Sequence, residues 1–98
     1  MVLETTPFDA ADFVTDAEAV EVYLTDAFES EDPAEIADAL GVVARSRGMS
    51  ALAADTGLTR QALYKALSQG GNPAFATVLK VARALGFRLT PHRIEAAG

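Results

Sequence analysis

Apolar residues in this chain recur at helical spacing in short segments, each bracketed by a start or stop signal, and this punctuation limits the fold more than any other feature. Val20, Tyr23, Leu24, Ala27 and Phe28 fall at i, i+3, i+4, i+7 and i+8. They share one face of a helix expected over residues 16–29, with Glu18, Glu21 and Glu29 outward. Thr15-Asp16-Ala17-Glu18 has the spacing of a capping box, in which the Thr15 hydroxyl and the Glu18 carboxylate satisfy backbone N–H groups. Asp32-Pro33-Ala34-Glu35 opens a second helix with an N-cap, a proline at the first helical position and an acid in the first turn. Its inward residues are Ile36, Ala39, Leu40 and Val43, and Arg47-Gly48 closes it, since cations suit the carbonyl end and glycine tolerates the left-handed exit.

Residues 49–67 read as two short helices joined by a tight turn. Ser50 and Thr59 are suitable N-caps, and Gly57 between them permits the positive φ at which the first short helix must stop. Residues 68–73 form a loop by composition. A last helix is expected over residues 75–85, with Phe75, Val78, Leu79, Val81, Ala82 and Leu85 on its apolar arc and Gly86 at its end. Residues 2–8 fit a short strand or an arm, residues 9–13 one turn, and residues 87–90 a short strand or an exposed tail. The expected architecture is all-α: five helices with an acidic helical N-terminal half, its termini short β-strands or else an arm and a tail. Residues 1–48 supply the acidic arm and two helices, residues 49–98 supply the rest, and together they make one compact domain.

Composition removes several classes of function. With no Cys and a single His, the chain has neither thiolate zinc sites nor a Cys nucleophile, and His92 alone cannot build a metal centre. Ser46 and Ser50 have no His near them in the sequence, and Tyr64 and Lys65 diverge by about 100° on a helix. Helix capping accounts for Glu31-Asp32 and Glu35-Asp38. No enzyme, cofactor or metal is therefore expected. No apolar run reaches the ~18 residues of a membrane helix, no secretory signal is visible, and cysteine-free composition fits a reducing cytoplasmic setting.

The net charge of −6 argues at first against nucleic acid. The average conceals two electrostatic halves. Residues 1–44 hold twelve acids and no Lys or Arg, whereas residues 45–98 hold eight Lys and Arg against Asp55 and Glu95. The C-terminal half is suited to a polyanion and the N-terminal half to water or a cationic partner.

The two short helices have the residue types of a helix-turn-helix, whose first helix lies across the DNA backbone while the second enters the major groove. Leu52 and Leu63 belong to its miniature core, Ala53 is small where the helices cross, Gly57 makes the turn, and Leu58 plugs the corner. On the second helix Arg60, Gln61, Tyr64, Lys65 and Ser68 fall within about 140° of arc, opposite Ala62, Leu63, Ala66 and Leu67. Arg suits guanine O6 and N7, Gln suits adenine N6 and N7, and Lys65 suits guanine or phosphate. Thr59, as the cap, is placed where its hydroxyl and the helix N-terminus meet a phosphate, and Ser50 joins these residues as a DNA-binding candidate.

From Phe8-Asp9 through Leu89 the chain resembles the addiction-module antidote proteins, HigA-like antitoxins with an Xre-type, lambda-repressor-like helix-turn-helix. The resemblance is carried by Arg47-Gly48-Met49-Ser50, Thr56-Gly57-Leu58-Thr59-Arg60, Ala62-Leu63-Tyr64-Lys65-Ala66-Leu67, and Gly71-Asn72-Pro73 running into Phe75-Ala76-Thr77-Val78-Leu79-Lys80-Val81. Phe8-Asp9-Ala10-Ala11, Tyr23-Leu24 and Asp32-Pro33 add to it. The resemblance implies a homodimeric antitoxin of a type II toxin-antitoxin module. Such a protein binds double-stranded operator DNA, represses its own operon and neutralises a cognate RelE- or HigB-like mRNA-cleaving toxin. A solitary Xre-like regulator without a toxin is the alternative. Two positions depart from the pattern: Ala51 stands where many such domains carry a phosphate-contacting Gln, and Ala74 where a Ser or Thr caps the last helix.

Overall fold

The computed structural model describes residues 16–68 and 70–95. Five helices follow in order: α1 (Ala17–Glu29), α2 (Pro33–Arg47), α3 (Met49–Thr56), α4 (Arg60–Ala66) and α5 (Phe75–Ala84). Among the described residues there is no strand, and no helix is long and apolar enough to cross a membrane. The expected turn over residues 9–13 and the strand or arm over residues 2–8 lie outside the described residues.

Helix α1 packs on α2, α2 on α3, and α3 on both α4 and α5. The core is correspondingly continuous. Val20, Leu24 and Ala27 come from α1, Leu40 and Val43 from α2, Leu52 from α3, Leu63 and Leu67 from the α4 segment, and Val81 and Leu85 from the last helix. No polar or charged residue is buried among the described residues, so packing rather than an internal polar network holds the helices together.

Asp32 caps α2, its Oδ1 accepting from Ala34 N–H at 3.0 Å, with Pro33 opening the helix as its motif requires. The start of α1 differs by one position from the expected capping box. Asp16 is the N-cap, its Oδ1 accepting from Glu18 N–H at 3.1 Å, because the carboxylate two residues upstream reaches that donor directly. Thr15 lies outside the described residues. Between α1 and α2, Ser30 Oγ donates to Ala27 O at 2.6 Å and accepts from Asp32 N–H at 3.1 Å.

Three further expectations are corrected. Ser50 is not a cap: α2 ends at Arg47 and α3 begins at Met49, so Gly48 alone serves both ends, with φ at 108° and no side-chain cap on α3. Of the two alternatives for residues 87–90, a short strand or an exposed tail, the strand is absent. Phe87 N–H instead donates to Ala82 O at 2.8 Å, closing α5, and its ring packs against the core, so this backbone finishes a helix and has no ladder to join. Finally, Phe75 and Leu79 do not join the buried arc of α5; they are 70% and 41% exposed while Val81 and Ala82 are buried.

Helix α2 also carries a constraint absent from the sequence reading. A Cβ at Gly41 would collide with the Leu67 carbonyl oxygen, so the middle of α2 and the end of α4 approach backbone to backbone. Glycine in mid-helix is unfavourable by ~1 kcal/mol relative to alanine, and this close approach is the physical reason for it here. At the other end of α2, Arg47 Nη2 donates to Leu85 O at 3.0 Å, tying the helix to the closing turn of α5.

Candidate nucleic-acid interface

The turn between α3 and α4 is built from three local devices. Gly57 adopts φ 78°, ψ 8°, the left-handed conformation that a Cβ disfavours, and its N–H closes α3 on Ala53 O at 2.9 Å. Thr56 Oγ1 donates to Leu52 O at 2.9 Å and accepts from Leu58 N–H at 3.2 Å, bracing both sides of the turn. Thr59 then caps α4, its Oγ1 accepting from Ala62 N–H at 3.0 Å, and leaves its own O–H as a donor. Leu58 is half-buried against the core, as a corner plug must be.

Packing decides which side of α4 remains outside. Leu63 is 0% and Leu67 3% exposed, and Leu52 and the partly buried Ala53 of α3 belong to the same core. With its apolar side fixed, the helix leaves Arg60, Gln61, Tyr64, Lys65 and Ser68 exposed on the other. The Arg60 guanidinium lies over the Tyr64 ring, its Cζ 5.9 Å from the centroid. Ser68 Oγ donates to Lys65 O at 3.1 Å, securing the chain as α4 ends. Such a ridge offers N–H and O–H donors and two cations to an anionic, hydrogen-bonding surface.

Ala62, expected on the hidden side, is exposed instead. It lines a shallow cleft of about 670 Å³ between α4, the following loop and the start of α5, together with Lys65, Ser68, Asn72 and Thr77. Ser50, at the second position of α3, is exposed. Helix α5 begins at Phe75, and Ala74 at its N-cap position supplies no side-chain cap.

The opposite half has a different surface. Asp16, Glu18, Glu21, Asp26, Glu29, Glu31, Asp32 and Glu35 are exposed on and around α1 and α2. A second cleft, of about 310 Å³, lies between these helices, with Tyr23, Asp26, Glu35 and Asp38 around Ala27 and Ala39. Burial pushes the Tyr23 phenol above its ordinary value, Asp38 adds to the rise, and Arg45 opposes it. Among the described residues, no three His, Cys, Asp or Glu side chains are grouped to hold a metal ion.

Residues 4–93 match the family model described as "Probable addiction module antidote protein". The chain belongs to this family. An uncharacterized protein of Haemophilus influenzae strain Rd is 46% identical over 81 residues, a span covering 83% of this chain and 84% of the relative. No solved structure matches the chain. In this antidote-family chain the match runs through both electrostatic halves, from the acidic segment past the exposed ridge of α4. The antidote description implies a toxin as partner.

Two contributions to the site escaped the sequence reading. Thr56 entered only as part of the Thr56-Gly57-Leu58-Thr59-Arg60 motif and not as the clasp of the turn. Gly41 carried no local signal at all, because the atom that requires it, the Leu67 carbonyl oxygen, belongs to a residue remote in sequence.

Proposed function

We propose that this chain is a DNA-binding antitoxin of a type II toxin-antitoxin module. It neutralises a RelE- or HigB-like mRNA-cleaving toxin by direct binding and represses its own operon as a homodimer in the cytoplasm. The observation that carries the DNA-binding reading is the sidedness of α4: Leu63 and Leu67 are buried while Arg60, Gln61, Tyr64, Lys65 and Ser68 stand exposed together. On this reading α3 and α4 are a lambda-repressor-like, Xre-type helix-turn-helix of HigA kind. Arg60 and Gln61 read base edges in the major groove, while Lys65, Ser68, Thr59 and Ser50 hold the phosphates. Nothing in this assignment calls for a catalytic group, cofactor or metal.

Each copy offers one α4 ridge, so reading two half-sites about 34 Å apart requires a dimer. Phe75 and Leu79, one turn apart and exposed on α5, are the apolar residues offered to the second copy; Phe87 is engaged in the core of its own protomer. For the toxin, the acidic surface of α1 and α2 complements the cationic cleft that an mRNA-cleaving enzyme needs for its substrate. The antidote family favours this reading over a solitary regulator.

Co-purification with the product of the adjacent gene, followed by footprinting on the shared promoter, tests partner and DNA together. Two protected half-sites one helical turn apart are expected, with affinity falling on a log-log salt plot at a slope near −7 if about eight phosphates are neutralised. A strict monomer in light scattering, or equal affinity for promoter and random duplex, overturns the assignment.

A further inference from the structure

We propose that Tyr64 is a positioning residue for Arg60, holding its guanidinium edge-outward so that it selects one base pair; the inference rests on the operator-binding reading above. Arg60 opens α4 and Tyr64 lies one turn later on the same exposed side, so the two side chains meet without any help from the core. The guanidinium sits 5.9 Å from the ring centroid, within cation–π range. Among the described residues the ring is the group that engages it, and no carboxylate pairs with it.

The choice of partner matters chemically. A carboxylate would occupy two of the five N–H donors and cancel the charge, leaving little for DNA. An aromatic ring instead attracts the guanidinium through one face and leaves the in-plane N–H groups and the positive charge available. It also removes rotamer freedom from a long side chain before DNA arrives, so less is lost when the bidentate bonds to guanine O6 and N7 form. Tyr64 is 47% exposed and lies outside the core cluster that holds Leu63 and Leu67, so its ring is not needed to fill the core.

The test uses the full-length protein and duplexes selected from a randomised library. Arg60→Ala is expected to relax preference at one base pair. Tyr64→Leu weakens the preference at that same base pair by about two- to fivefold, whereas Tyr64→Phe, which keeps the ring, matches wild type. Adding Tyr64→Leu to Arg60→Ala then has no further effect on preference. In the free protein the Arg60 side-chain protons show ring-current shifts that persist in Tyr64→Phe and vanish in Tyr64→Leu.

Equal loss in the Phe and Leu variants would mean that the hydroxyl touches DNA directly and would overturn the positioning role. So would unchanged base preference in Tyr64→Leu while wild type discriminates. If wild type itself binds selected and random duplexes alike, the operator reading fails, and this inference falls with it.

Discussion

Helices α1 and α2 run for 13 and 15 residues from aspartate caps, whereas α3 and α4 run for 8 and 7 residues and depend on a braced turn. Isolated helices below ~12–15 residues are marginal in water, so α3 and α4 owe their persistence to the core beneath them. The acidic pair combines local start signals with packing; in the cationic half Thr59 caps α4, but α3 and α5 have no side-chain cap and rest more on packing. The contrast explains how a seven-residue helix can expose a whole polar side: its position is set from behind by Leu63 and Leu67.

Leu63→Ala is the most direct way to break that dependence. Truncating this fully buried side chain should destabilise the protein by about 2–5 kcal/mol in chemical denaturation. Loss of DNA binding should follow. A smaller effect, with a sign that local propensity gets wrong, is expected for Gly41→Ala. Propensity alone predicts a gain of ~1 kcal/mol, but the methyl must displace the Leu67 carbonyl, and overpacking of this kind costs ~1–3 kcal/mol. A net loss in the same measurement would link the two halves through their backbones; a net gain would disprove the close approach.

Caps sharpen the comparison further. Thr59→Ala should cost ~1 kcal/mol, and Ala74→Ser should recover up to a similar ~1 kcal/mol by supplying the acceptor that α5 lacks. Helicity and melting temperature would register both. The smallest effect should be Tyr23→Phe. Because folding raises the Tyr23 value above 10.0, the folded state holds the phenolic proton more tightly than the unfolded chain. That contribution is fully present below the unfolded value and is lost as pH rises through the folded one. The stability of wild type minus that of Tyr23→Phe should thus be steady below about pH 10 and decline above it.

Helix existence was legible in the sequence because its signals are local. Pro33 after Asp32, Thr59 before Arg60 and Gly57 between two apolar periods each act on backbone groups within a few residues. The errors arose where neighbours compete or a distant partner decides. Asp16 reached the Glu18 N–H without Thr15 entering the account, and Gly48 took the place assigned to Ser50 because the two helices abut. Residues 87–90 have an alternating pattern, but Phe87 was already committed to closing α5. Ala62 was placed by helical angle, which says nothing of the cleft that the loop leaves beside it. At the candidate site, periodicity located the polar ridge, while the placement of the Arg60 guanidinium over the Tyr64 ring needed side-chain positions to be seen.

The missing methyl at Gly41 fixes more than the local spacing of two helices. Where main chain rests on main chain, no rotamer intervenes to absorb change, so the tilt of the last turn of α4 is anchored to α2 directly. A side chain added at this seam has no flexible neighbour to push aside, so the two segments must part as whole pieces of backbone. Any such parting would carry the outward residues of α4 with it, so a single hydrogen at Gly41 sets where that ridge stands.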